Sequence, residues 1–565
     1  MNANTFTINN KHLWALAIIV LTCLAYIPVF TDGFTNWDDN IFVTSNELIR
    51  SFSWFNIKTW FTQPFVGQYQ PLVLLSFAID YSINGYDPLV FHISNLLFHL
   101  VNTFLVFKFI DLLFKNTFVS LLTALLFGIH TLNVESVAWI TERKNVLFTL
   151  FYLGSLICYL KYLDKNNFKY FLSTLILFVI SLASKSAAVT LPVVLVLIDY
   201  IYRRDHFKKL VLIEKIPFFA LSLFIGIYTI IAHQQYGALS NATGYSFWMR
   251  MLISAQALIF YFEKLVLPAN LSAYYPLPQD LKNRLPQLII GFVFMYGIII
   301  SSVVIAIKKR NNFILFGLGF FIINLVLFII PAGVPVLTTD RYTYVPFIGI
   351  FLIMAYGLYI IINKTSKLKI LWLSLIVSYV LMLSILTFKQ SQLWQDSITL
   401  WNNVINKTGE ASFPLMKRGI AYRHLNDFEK ALNDLNASIE LDNQYPVVFE
   451  NRGYIYLLQE DYKNAIQDFN QAVVIDSQSA YSLRNLGLCY LNLQEYEKAL
   501  SLINQSLEID SKNAYALKTK GKINIALNKI NDACIDLQQS IKLGLSDDNE
   551  KEAKALIYKY CTEEK

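Results

Sequence analysis

Long apolar runs alternate with short charged turns over the first 390 residues. Runs at 12–31, 91–113, 117–133, 145–163, 169–184, 187–202, 216–232, 287–307, 313–332, 344–363 and 370–388 are each predicted to be a spanning helix. A span needs roughly 20 residues, so the shorter runs must borrow flanking residues. A further run, 248–267, contains Gln256, Glu263 and Lys264, and charge decides its place. Arg203, Arg204, Lys208, Lys209 and Lys215 mark one loop as cytoplasmic, and Lys308, Lys309 and Arg310 mark another. Two loops on one side are separated by an even number of crossings, which 216–232 and 287–307 already supply. The 248–267 run is therefore expected to lie along the outer interface or to dip in and return.

The eleven crossings that remain start inside and end outside, with Lys161, Lys165, Lys169, Lys364, Lys367 and Lys369 in inner turns. Loop 32–90 then faces outward and is acidic: Asp32, Asp38, Asp39, Glu47, Asp80 and Asp87 stand against Arg50 and Lys58. Its apolar piece, PLVLLSFAI, is too short to span and is expected to lie on the membrane surface. The first run has no small-residue cleavage site after it and reads as a retained anchor rather than a signal peptide.

After residue 390 the pattern changes. Gly419, Gly453, Gly487 and Gly521 are 34 residues apart, as are Ala431, Ala465, Ala499 and Ala533. Tyr422, Tyr456 and Tyr490 keep the register, and Asn524 breaks it in the fourth copy. A 34-residue period with small residues at fixed places is the tetratricopeptide signature. Such arrays offer a concave surface for extended peptides, or serve as packing scaffolds without a ligand. The reading divides the chain into a membrane domain (1–390), a linker helix or degenerate repeat (391–410, SQLWQDSITLWNNVINKTG), four repeats (411–547) and a C-terminal helix or tail (548–565).

Composition agrees: the chain is 55% hydrophobic and 15% charged, against about 25% charged in soluble domains. The net charge of +7 is spread over short loops, which suits a membrane rather than nucleic acid. The cysteines, Cys23, Cys158, Cys489, Cys534 and Cys561, show neither metal-ligand spacing nor a readable disulfide framework. Abundant Asn, Lys and Ile hint at an AT-rich bacterial genome.

Some cations break the positive-inside pattern. Arg143, Lys144, Lys185 and Arg341 all fall at the outer face beside helix ends. Together they could neutralise a phosphate or diphosphate at headgroup depth; the plainer alternative is pairing with Glu135, Glu142 and Asp340. Asp38 and Asp39 leave the membrane opposite them, as a carboxylate pair or as part of an acidic surface loop. His92, Asn95, His99 and Asn102 recur at steps of three, four and three, which gathers them on one helix face. They line a cavity or bond neighbouring helices; His130 and Glu135 are further cavity candidates. A carboxylate, external cations and a peptide-binding array suggest transfer of a sugar from a phosphorylated lipid to a protein hydroxyl.

The chain resembles the GT-C class of polytopic glycosyltransferases, and within it the bacterial relatives of the transmembrane and tetratricopeptide repeat-containing O-mannosyltransferases. The resemblance rests on NWDDNIFVTSN, YQPLVLLSFAIDYSINGYDPLVFHISNLLFH, HTLNVESVAWITERKNVL, SKSAAVTLPVVLVLIDY, LVLPANLSAYYPLP, TDRYTYVPFIG and the repeats that follow. It implies that Asp38, with Asp39 as partner or alternative, supplies the catalytic base. It also implies a polyprenyl-phosphate sugar donor whose phosphate meets Arg143, Lys144 and Arg341. Two positions depart from the family pattern, Thr131 where a Pro usually follows the His and Asn145 where an Asp often stands.

The expected architecture is thus all-α: a GT-C-like bundle of about eleven transmembrane helices, then a tetratricopeptide α-solenoid. The expected activity is inverting transfer to Ser or Thr of proteins held by the array, on the periplasmic side of a bacterial inner membrane. A divalent metal could sit on the external carboxylates, although nothing in the sequence demands it. Two alternatives stand beside this reading: a non-catalytic scaffold for envelope proteins, and transfer to lipid or cell-wall glycan.

Overall fold

A computed structural model describes residues 10–205, 208–236, 245–278, 281, 283–329 and 336–561. The end of the predicted 313–332 helix and the last four residues of the tail lie outside them. The chain folds as two compact units, one ending at Thr408 and one beginning at Gly409.

In the first unit every predicted span is met by a helix. Lys11–Ala25, Pro88–Phe114, Thr117–Ile129, Arg143–Lys165, Phe168–Leu182, Leu191–Ile201, Lys209–Gln235, Leu285–Lys308, Asn312–Ile329, Phe347–Lys364 and Lys369–Ser391 follow in order. Among the described residues six helices are long and apolar enough to cross a membrane unaided. Thr117–Ile129 and Thr131–Ala138 are bent by 53°, a broken span or a re-entrant loop. The chain is a membrane protein by this apolar helix content. Ile290, Val293 and Phe294 on Leu285–Lys308 are 61–69% exposed, a face that water would penalise and lipid accepts. Phe247–Val266, the interfacial run of the sequence reading, is a 20-residue helix carrying Arg250, Glu263 and Lys264.

The centre of the unit is polar as well as apolar. His92, Asn95, His99 and Asn102 do share a face of Pro88–Phe114, but all four are fully buried and tie helices together instead of lining open space. Asn95 Nδ2 donates to the Trp139 carbonyl at 3.2 Å and Asn102 Nδ2 to the Val146 carbonyl at 2.8 Å. His99 joins the Tyr344 hydroxyl (2.8 Å) to the Gly128 carbonyl (2.9 Å), and His92 meets the Gly33 carbonyl at 3.3 Å. His130 likewise bonds the Leu265 carbonyl at 3.1 Å. A spanning helix has no water for such groups, so most of their bonds run to neighbouring segments, while His92 Nδ1 and Asn102 Oδ1 stay buried without a partner among the described residues. The cavity-lining expectation for these five residues is corrected accordingly.

Loop 32–90 builds a small core, joined by Phe91, Ile140 and Leu147. Ser53 caps Trp54–Thr62, and Pro71–Asn84 buries Val73, Leu74, Phe77 and Ala78 against Phe42, Val43, Ile49 and Trp60. The segment expected to be a linker is fastened here: Ser397–Thr408 belongs to the first unit. Ser397 Oγ accepts from the Asn36 amide (2.8 Å), Trp401 Nε1 donates to Asn36 Oδ1 (2.7 Å), and Trp401 stacks on Trp37 at 4.8 Å.

In the second unit four helix pairs follow, from Ser412–His424 with Phe428–Leu441 to Ala514–Ala526 with Ile530–Leu543. The period has a steric cause. A Cβ on Gly487 would come within 2.7 Å of Ile503, and one on Gly521 within 2.7 Å of Leu537. Ala431, Ala465, Ala499 and Ala533 are fully buried. Asn524, the register breaker, donates to buried Asp536 at 2.9 Å. In the first two copies Arg418 and Arg452 satisfy the equivalent Asp434 and Asp468. A disulfide absent from the sequence reading, Cys534–Cys561, joins the last repeat to the closing helix Asp547–Cys561.

Candidate functional site

Asp38 and Asp39 differ completely in surroundings. Asp39 is 1% exposed, and its carboxylate is saturated. Oδ2 accepts from the Thr35 amide (2.9 Å) and hydroxyl (3.0 Å), and Oδ1 from the Thr141 amide (3.1 Å) and hydroxyl (2.6 Å). Burial pushes this carboxyl up to about 6, against the pull of those four bonds. Asp39 is therefore a clamp between the first loop and the turn at Thr141, with no lone pair left for a substrate proton. Asp38, next to it, is half-buried and sits where that clamp holds it.

One residue beyond Thr141 lies the hub that the sequence reading treated only as a pairing alternative. The Glu142 carboxylate is met by Lys144 at 3.3 Å, Lys185 at 3.6 Å and Arg341 at 3.4 Å. Glu135 takes Arg341 again, through Nη1 at 2.5 Å and the backbone amide at 2.7 Å. Three cations thus surround two carboxylates, a surplus of one positive charge. Burial draws the Lys185 ammonium down to about 8, while Glu142 works to keep it charged. Asn145 stitches the cluster: Oδ1 accepts from Lys185 Nζ at 2.5 Å, and Nδ2 donates to the Arg341 carbonyl at 3.1 Å. An Asp at that position could not donate to the carbonyl.

Arg143 does not join this cluster. Its side chain is fully buried, paired with Asp80 at 2.7 Å, and bonded to the Phe91 carbonyl at 2.8 Å and to Asn95. Every side of the guanidinium is committed inside the fold, which corrects its assignment as a phosphate ligand. Asp340 is buried too, accepts from the Tyr275 hydroxyl at 3.1 Å, and is pushed well above the usual carboxylate range by burial and by Glu135. Among the described residues no trio of His, Cys, Asp or Glu side chains gathers as a metal site would need.

Aromatic rings form the wall beside Asp38. Trp37 meets Trp139 edge-on at 5.8 Å and Tyr274 at 6.2 Å, and Trp139 stacks on Trp394 at 5.7 Å. The Arg341 guanidinium lies 5.3 Å over Trp139. The sequence signal for this wall is the tryptophan beside each charged motif, NWDD and AWITERK, which a count of charges passes over.

The tetratricopeptide repeat family matches residues 415–445 and 445–512. Several curated relatives share one kind of name. Mouse protein O-mannosyl-transferase TMTC2 is 28% identical over 201 residues, 33% of this chain and 24% of that protein. Mouse protein O-mannosyl-transferase TMTC1 is 36% identical over 99 residues, covering 17% and 10%. Over these stretches the chain is similar to the TMTC protein O-mannosyl-transferases. It spans about a quarter or less of the length of the relatives it matches. Among solved structures, MamA from Desulfovibrio magneticus RS-1 is 18% identical over 26% of this chain and 82% of that one, with a TM-score of 0.24. The tetratricopeptide protein TTC0263 from Thermus thermophilus is 12% identical over 32% and 95%, with a TM-score of 0.26.

Proposed function

We propose that the chain is an integral membrane glycosyltransferase that moves a sugar from a polyprenyl-phosphate donor to Ser or Thr of a protein on the external, periplasmic face of a bacterial inner membrane. One observation carries the reading: a half-buried carboxylate, Asp38, adjoins Asp39, which is clamped to Thr141, the residue before Glu142, where Lys144, Lys185 and Arg341 gather from three segments with surplus positive charge. The mannosyl-transferase names of the relatives support it. The Cys534–Cys561 bridge supports an oxidising compartment for the repeats.

In this scheme the acceptor oxygen forms a bond to the anomeric carbon while the carbon–oxygen bond to phosphate breaks. The hydroxyl proton passes to Asp38, and the departing phosphate keeps the bonding electron pair. Lys144, Lys185 and Arg341 meet the charge that develops there, preplaced by Glu135, Glu142 and Asn145 so that little rearrangement is needed. A single displacement inverts the anomeric centre. Trp37, backed by the buried Trp139, offers an apolar face to the sugar ring, and the repeats hold the acceptor.

The ion pairs themselves favour a second reading, a non-catalytic scaffold, because each cation already has a carboxylate. Mass spectrometry of intact envelope glycoproteins separates the two, comparing wild type, a deletion strain and Asp38→Asn. Hexose additions on Ser or Thr should vanish in both mutants. Additions that persist in Asp38→Asn but vanish in the deletion would sink the base assignment and favour the scaffold.

A further inference from the structure

A second basic site lies at the opposite ends of the helices, and the proposed transfer does not use it. Leu191–Ile201 and the 3-10 turn before it run from Lys185, in the candidate site, to a loop roughly 26 Å away by helical rise. There a cavity of about 430 Å³ opens between the ends of Leu191–Ile201 and Leu285–Lys308 and the start of Asn312–Ile329. Arg203, Arg204 and Arg310 line it with Tyr200, Asn312 and Leu315.

The three arginines are not equivalent. Arg204 is neutralised, at 2.9 Å from Glu214 and 3.4 Å from Asp199, in a buried network that also holds Lys215 at 2.6 Å from Asp199. Arg203 and Arg310 are exposed, and neither takes part in an ion pair among the described residues. No Asp or Glu lines the cavity among the described residues. Its third wall is the first turn of an 18-residue helix, where Asn311 Oδ1 caps the Ile314 amide at 3.2 Å and the positive end of the helix dipole favours an anion.

The backbone sharpens the point. Arg203 and Arg310 sit at φ 53° and 49°, left-handed conformations in which a side chain is strained and glycine is not. Both close their helices in the same way. The amide of Arg203 bonds the Tyr200 carbonyl and that of Arg204 the Asp199 carbonyl; Arg310 and Asn311 do the same to Ile307 and Ala306. These bonds satisfy the Tyr200, Asp199, Ile307 and Ala306 carbonyls at the two helix ends. Lys115 ends Pro88–Phe114 at φ 53° as well, so a basic residue at such a cap is not by itself a site. What sets Arg203 and Arg310 apart is that both strained caps line one cavity with a helix N-terminus.

We infer that this cavity is a phosphate-binding site on the face opposite the proposed transfer, for the phosphate of an anionic lipid headgroup or of a soluble phosphate compound. Basic pockets between membrane helices suit phosphate-bearing headgroups.

The test uses the full chain purified in a neutral detergent, the lipid phosphatidylglycerol as probe, and native mass spectrometry to count retained lipid. The double variant Arg203→Gly/Arg310→Gly removes both charges while relieving the backbone, so loss of binding is separable from loss of folding. Lys115→Gly makes the same change away from the cavity. Retention by the double variant should fall at least about tenfold, with Lys115→Gly unchanged. Millimolar inorganic phosphate that displaces the lipid assigns the site to free phosphate chemistry; lipid that resists it assigns the headgroup. Equal retention of phosphatidylcholine, or equal losses in the double variant and Lys115→Gly, would overturn the inference.

Discussion

Removing the Arg143 guanidinium would leave Asp80 ionised in a place where the two side chains are 0% and 4% exposed. Breaking a buried pair from one side costs about 3–5 kcal/mol, whereas replacing both partners by apolar groups of similar volume is often neutral. Arg143→Met should therefore lower the melting temperature in detergent sharply, and Arg143→Met/Asp80→Leu should recover most of it. Asp32 supplies a pH test. Both its oxygens are buried without a hydrogen-bond partner, and burial, with the charge of Asp396, pushes its carboxyl up to about 8. The folded state thus holds a proton that the unfolded chain releases near pH 4. Stability from this group is complete below pH 4 and is lost as the pH rises toward 8. Asp32→Asn, neutral throughout, should melt higher than wild type at pH 8 and lose that advantage near pH 4. At this scale the sequence showed which residues were unusual and offered Glu135, Glu142 and Asp340 as partners, but not which cation each would take. The positive-inside pattern brought Arg143 and Lys144 to the same outer turn, yet only the fold shows that one is enclosed with Asp80 and the other faces Glu142.

Helices and repeats were easier to read. Apolar runs of membrane length and a 34-residue period both report packing that repeats along the chain, so a single sequence displays them. The steps from His92 to Asn102 gave the correct helix face; the rings and amides on it bond carbonyls of other helices, which periodicity cannot locate. The Cys534–Cys561 bridge was invisible for a similar reason, since Cys561 belongs to a closing helix outside the repeat. Its removal offers a test at this scale. By loop-closure entropy, a bridge spanning 27 residues is worth about 3–4 kcal/mol. Cys534→Ser should lower the thermal midpoint of the repeats, read by protease resistance of the Asp547–Cys561 helix, and wild type under reductant should match it. Gly487→Ala, which drives a methyl into Ile503 and the Ala499 carbonyl, should cost about 1–3 kcal/mol by the same readout.

For the whole molecule, the proposed topology makes a labelling prediction. In intact cells a membrane-impermeant maleimide should modify Arg50→Cys in the first loop and Lys498→Cys in the repeats, while Lys115→Cys reacts only after lysis. Labelling of Lys115→Cys in intact cells would reverse the orientation and move the candidate site to the cytoplasm. The apolar helices are also unequal in length. Lys209–Gln235 has 27 residues, whereas Phe168–Leu182 has 15, or about 22 Å of rise. That short helix is not sheltered: Phe168, Leu172, Ile176 and Val179 are all exposed. A hydrocarbon layer of about 30 Å cannot match both lengths. Acyl chains beside Phe168–Leu182 must shorten or tilt by several ångströms, so the bilayer dimples along that flank of the protein and draws the headgroups there toward mid-plane.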